Sequence, residues 1–239
     1  MCYNGNSSPR QKVKKILENP LVLLAYSCIF ALFNTSLAFF LTRHGIFTYG
    51  SLWFQFGASV NACVMLSLLP ILLIRYIFKK PLATFGLRLP ENAGTALTLS
   101  GTAFLICLPI LYTFAHQPAF QSHYATAPDI NAFIILTIIS ALYYLAEEFF
   151  FRGFLQGSLW QKFGYHTYWI IAAIFAILHF GKPIPEVIFA IFFSLAMSYL
   201  SQKTKSVFPA AAVHFAIALF LNILVTFVYP PLVSTGFHF

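Results

Sequence analysis

Residues 146–155 read AEEFFFRGFL, two adjacent carboxylates and a guanidinium inside a strongly apolar stretch. The whole chain holds six acidic residues, and Glu147 and Glu148 are the two that lie well inside an apolar run. Two of its seven histidines are embedded in the same way, His179 in IFAILHF and His214 in AAAVHFAIALFLN. A charged side chain at the centre of a bilayer costs roughly 2.5–3.5 kcal/mol on insertion scales, so such residues usually face a bundle interior and mark a pathway or a reaction site. Arg152 follows Glu148 by four residues and shares its helical face, where the two can form a charge-assisted hydrogen bond. Glu147 points about 100° away and takes its partner from another helix. A buried carboxylate beside imidazoles can hold a water and accept its proton. Glutamate and histidine are also zinc ligands. Both readings lead to hydrolysis by an activated water. The plainer alternative is a packing cluster of buried ion pairs, which carries little stability in its own right.

The elements that position these residues follow from composition. The 239 residues are 59% hydrophobic and 8% charged, against about 25% charged in soluble domains. The fold class is therefore an all-α, polytopic transmembrane helical bundle, an integral multi-pass membrane protein embedded in the lipid bilayer. The net charge of +8 comes with no basic stripe or arginine-rich run, so nucleic acid is not an expected partner. Runs long enough for ~30 Å of hydrocarbon number about seven, at 20–42, 52–74, 93–115, 130–155, 167–181, 184–201 and 207–229. Residues 1–19 form a polar N-terminal tail, and 20–239 a single transmembrane domain. The polar start is unlike a cleaved signal peptide. The connection 75–92 reads as a surface loop. Cys2, Cys28, Cys63 and Cys107 lack the spacing of a zinc or redox motif.

With the N-terminus in the cytoplasm, twelve of the fourteen Lys and Arg fall on the cytoplasmic side, and only Arg43 and Lys182 outside. The positive-inside rule thus predicts an N-inside, C-outside arrangement, as in a bacterial inner membrane. If the fourth helix runs to a turn near Gly164, Glu147 lies ~25 Å back along it, and His179 ~22 Å up the returning helix. His214 stands ~12 Å beyond the SQKTKS loop. The helical hairpin must project one to two turns beyond the membrane for the three to meet.

In order and spacing these residues resemble the signature of the CPBP family, which comprises CAAX proteases and bacteriocin-processing enzymes and includes the Ras-converting endoprotease. EEFFFR matches its EExxxR part at Glu147, Glu148 and Arg152, FAILH its FxxxH part at Phe175 and His179, and His214 begins the HxxxN part after SVFPA. FGLR at 85–88 also looks like a family feature, and the similar core covers about 85–225. One position departs: Ala218 stands where the family usually has asparagine or aspartate, and Asn222 lies a further turn on. The resemblance implies an intramembrane endopeptidase acting on membrane-associated protein or peptide substrates, such as prenylated CAAX tails, bacteriocin leaders or sorting tags. In it Glu147, helped by His179, activates water, His214 stabilises the oxyanion, and Glu148 with Arg152 supports the site or holds the substrate. No cofactor is expected, with zinc as the alternative. Two other classes compete: an inactive scaffold or regulator on the same fold, favoured by Ala218, and a proton-coupled transporter, which would require paired repeats with broken helices that the sequence lacks.

Overall fold

The computed structural model describes residues 52–124 and 129–230, with isolated positions between 19 and 44. The expected N-terminal tail and first span lie outside the described residues. Among the described residues seven helices and no strand occur: α1 (Trp53–Phe78), α2 (Ala93–Ala115), α3 (Pro118–Tyr124), α4 (Ile130–Phe163), α5 (His166–Ile177), α6 (Ile184–Thr204) and α7 (Phe208–Val228). Five of them (α1, α2, α4, α6 and α7) are long and apolar enough to cross a membrane. Their outer faces expose residues such as Trp53, Leu105, Ile138 and Phe192. The protein is a helical membrane bundle.

Local chemistry sets the helix ends. The side chains of Asn92 and Asp129 accept from backbone amides of the first turns of α2 and α4, satisfying donors that a helix leaves free. Pro185 and Pro209 sit in the first turns of α6 and α7, where a missing N–H costs nothing. α1 passes through π-wound stretches on both sides of Pro70, a winding that accommodates a proline inside a helix.

Two spans differ from expectation. α4 continues to Phe163, because QGSLWQKF keeps helical geometry after its side chains turn polar. At 34 residues it is ~50 Å long, longer than the ~30 Å hydrocarbon layer and long enough for the projection expected of the hairpin. It ends at Gly164, whose φ is +51°. α5 is helical for only 12 residues, ~18 Å, and falls short of crossing. The backbone turns at 178–181, so the apolar run 167–181 is a helix followed by a turn. The short α3 has no counterpart among the expected spans.

α4 is the central element, packed against α1 and α7, while α7 also packs on α2, and α5 on α6. Phe149, Phe150 and Phe151 are all fully buried. Three consecutive residues sweep ~200° of a helix, so this part of α4 is surrounded by protein. The FGLR loop closes on it. A 3-10 turn, Leu82–Phe85, lies so near Gly153 that a Cβ there would stand 2.4 Å from the Phe85 carbonyl oxygen. Gly86, at φ +79°, then accepts from the Val207 amide at 3.0 Å. Ser206 donates to the Arg88 carbonyl at 2.6 Å, and Arg88 Nε to that of Lys205 at 3.1 Å. The expected surface loop is therefore docked onto the α6–α7 junction.

Candidate active site

α4 carries the acidic pair into the bundle centre, and winding changes there from α to π over Phe149–Leu155. Single π-turns inside α-helices often accompany functional sites. Glu148 is fully buried. One of its oxygens lies 2.8 Å from His214 Nδ1 and the other 3.1 Å from Arg152 Nε. The Arg152 contact is close but not aligned as a hydrogen bond: Nε and both terminal nitrogens have no hydrogen-bonding partner in the described chain. The π winding alters the angular step along the helix, so the ideal i, i+4 hydrogen bond is replaced by an ion contact. The guanidinium lies over the Phe175 ring at 4.9 Å and the Phe151 ring at 5.6 Å, packing that suits a planar cation.

Glu147 is also buried but more loosely held. Tyr143 donates to one of its oxygens at 3.3 Å, and the other is 3.6 Å from His214 Nδ1. Its histidine partner does come from another helix, as the 100° separation requires. That same imidazole sits nearer to Glu148, a pairing that the sequence does not indicate.

His214 is wedged among the rings of Tyr144, Phe193 and Phe175, at 4.3, 4.9 and 5.9 Å. His179, in the turn after α5, lies against Phe175 at 4.6 Å. Its Nδ1 is 2.7 Å from the Phe175 carbonyl oxygen; a carbonyl only accepts, so Nδ1 carries the proton and Nε2 is left for another partner. His179 stands outside the trio Glu147, Glu148 and His214, whose ligand atoms lie within 4.8 Å of one another.

Both histidines line one cavity, with Tyr144 and Ala218 in its wall and about 60 Å³ accessible to water. That volume holds a few waters, since one needs ~10–15 Å³ on this measure. Asn222 instead lines a separate cavity with Tyr143, Tyr144 and Thr226, so the departing position puts an alanine, with no polar atom, beside His214. At its other end the first cavity reaches Tyr124, Lys182 and Glu186. Tyr124 donates to Glu186 Oε1 at 2.5 Å and Lys182 to the same oxygen at 2.8 Å. In the sequence Glu186 reads only as a carboxylate opening a helix, where its charge suits the N-terminal dipole. The i, i+4 spacing to Lys182 was the available signal. Tyr143 and Tyr144 likewise stand four residues before the two glutamates, though tyrosines on an apolar helix read as core.

The fold and these residues define an integral membrane protein with paired carboxylates and a guanidinium buried at its centre and two imidazoles that line a cavity with room for a few waters. Residues 126–220 match the family model described as Type II CAAX prenyl endopeptidase Rce1-like. The match contains Glu147, Glu148, Arg152, His179 and His214, and supports the CPBP/CAAX protease family that the motifs resemble. Protease and hydrolase chemistry in general is what such a family implies. No curated protein and no solved structure matches the chain.

Proposed function

We propose that the chain is an intramembrane endopeptidase that cuts membrane-associated proteins or peptides, of the CAAX, leader or sorting-tag type, with water activated by Glu147. The observation that carries this reading is the unequal engagement of two adjacent buried carboxylates. Glu148 is committed to His214 and Arg152, at 2.8 and 3.1 Å, whereas the contacts of Glu147, at 3.3 and 3.6 Å, leave it able to hold a water. Glu147 takes a proton as the water oxygen attacks the peptide carbonyl carbon. His214, oriented through Nδ1 by Glu148, turns Nε2 to the oxyanion and donates to it when protonated there. His179 presents Nε2 to the same cavity and orients the water. The C–N bond then breaks, and Glu147 returns the proton to the leaving amine. Charge development in a water-poor site gives such donors their weight.

The donor types also fit zinc: Glu147, Glu148 and His214 would hold it, and it would polarise a bound water. Zinc ligands at about 2.0–2.1 Å in a tetrahedron stand ~3.3 Å apart, while Nδ1 of His214 and its Glu148 oxygen are 2.8 Å apart, the spacing of a shared proton. A histidine that ligates zinc through Nε2 keeps the same Nδ1–carboxylate pair, so chelation, not this spacing, separates the two mechanisms. Glu147→Gln keeps shape but cannot take a proton; mass spectrometry of cleavage products should find none from the folded variant. Retained cleavage would remove Glu147 from the mechanism, and loss to a chelator that zinc restores would replace the metal-free version.

The ends of α1, α4 and α6 and the start of α7 lie at one end of the bundle, since they line two adjoining cavities there. Arg75, Lys79, Lys80, Lys162, Lys203 and Lys205 lie at or near these helix ends. This supports a multi-pass arrangement in a bacterial inner membrane with that end and the N-terminus cytoplasmic. Reporter fusions after Lys15 and at Phe239 should then mark opposite compartments, and a shared compartment would overturn the orientation.

A further inference from the structure

Arg152 also borders a second polar space, although its side chain is closed to solvent. A cavity of about 440 Å³ lies at the basic end of the bundle, between α4, the α6–α7 junction and the FGLR loop. Among the described residues its lining includes Arg88, Arg152 and Lys205 and not one acidic residue. Arg152 is only 4% exposed and both its terminal nitrogens lack a hydrogen-bonding partner. Ser201, 5% exposed, also has an unpartnered hydroxyl in this wall among the described residues. Buried donors of this kind are costly unless something pairs with them. At the rim, Arg88 and Lys205 share a single carboxylate, Glu91, which leaves positive charge in excess. An adjoining cavity of about 430 Å³, which shares Phe85, Gly157 and Gln161, adds Lys80 and Lys162 and again no acidic residue among those described.

We propose that this paired cavity binds a phosphate-bearing anion, with Lys205 and Arg88 at its mouth and the buried Arg152 behind its inner wall. A guanidinium presents N–H donors in a fork that matches phosphate oxygens. The cavity opens where four helix ends meet, the level at which basic residues contact anionic headgroups. The ligand is thus a phosphodiester headgroup or a phosphate from solution, which share this recognition chemistry. The inference stands apart from the hydrolytic reading, because binding is read without turnover.

The test uses the full chain in nanodiscs of phosphatidylcholine, with or without phosphatidylglycerol. Native mass spectrometry counts retained phosphatidylglycerol, and thermal unfolding reports binding of inorganic phosphate. Gln202→Glu places a carboxylate in the lining, and Lys205→Asn removes a charge while tolerating the positive φ of that residue. Each should weaken binding about fivefold, the weight of one unit charge beside a headgroup layer. Retention of phosphatidylglycerol without a phosphate effect identifies a headgroup ligand; the reverse identifies a soluble anion. If neither probe binds, or if both variants bind as wild type does, the proposal is overturned. Should Lys205→Asn fail to fold, Gln202→Glu decides alone, since no hydrogen bond of that side chain is lost.

Discussion

Glu147 and Glu148 are neighbours of one type, yet the structure predicts that their neutralisation has unequal consequences for stability. Glu148→Gln leaves Arg152 buried, its guanidinium fully inside the bundle, without its nearest counter-charge. Breaking a buried pair from one side costs about 3–5 kcal/mol, because the remaining charge is uncompensated. Glu147→Gln disturbs only the longer contacts to Tyr143 and His214, and weak hydrogen bonds of that kind are worth less than about 1 kcal/mol. Adding Arg152→Met to Glu148→Gln removes the stranded charge and should recover most of the loss, with a coupling energy of ~2–3 kcal/mol in the double-mutant cycle. Reversible unfolding in mixed micelles, read by tryptophan fluorescence, measures all four variants. Equal destabilisation by the two Glu→Gln changes would refute the division of roles. So would a double variant no more stable than Glu148→Gln.

Two further outcomes follow from the same geometry. His214→Ala should lower the cleavage rate roughly 10²–10³-fold, the weight of one oxyanion donor, whereas Asn222→Ala, in the separate cavity, should change it little; Ala218→Asn should be tolerated and restore a polar group beside His214, and steady-state kinetics on one cleavable peptide compare the three. Gly153→Ala forces a methyl group against the Phe85 carbonyl and should destabilise by ~1–3 kcal/mol, the usual cost of overpacking; unchanged unfolding would mean that the FGLR loop is not docked on α4.

Much of the fold is legible because hydropathy reports depth in the bilayer. α2 was expected over 93–115 and is observed over Ala93–Ala115, since Asn92 marks its start and its run is apolar throughout. The same signal misjudges α4 and α5 in opposite directions. A helix that leaves the hydrocarbon becomes polar without ending, as α4 does through Gln161 and Lys162 to Phe163. An apolar segment can also turn within the protein, as the chain does at Leu178–Gly181, because buried surroundings replace lipid. Hydropathy cannot distinguish these cases, for it records the solvent of side chains and not the course of the backbone.

Motif spacing was informative about which residues meet, and less so about which atoms pair. EExxxR, FxxxH and HxxxN place Glu147, Glu148, Arg152, His179 and His214 in the same region, but the α-to-π change at Phe149 alters the angular relation that spacing assumes. The cluster of Tyr124, Lys182 and Glu186 was legible only in the i, i+4 spacing of its last two members. Its tyrosine comes from the short α3, and long-range burial turns a favourable helix-start glutamate into a bonded wall of the cavity.

The adjacency of the two glutamates itself has a physical rationale. Residues one apart on a helix diverge by ~100°, enough to send one carboxylate toward Arg152 and the other toward Tyr143 while His214 remains within 3.6 Å of both. Spacing of three or four residues would stack the carboxylates on one face, where both would compete for the same cation. With the i, i+1 arrangement Glu148 can balance the charge of Arg152 and hold the imidazole, and Glu147 is kept close to that imidazole without being consumed by the ion pair. A reactive carboxylate in a water-poor interior needs a neighbouring cation to exist and freedom from it to work. Two consecutive residues on one helix meet both conditions.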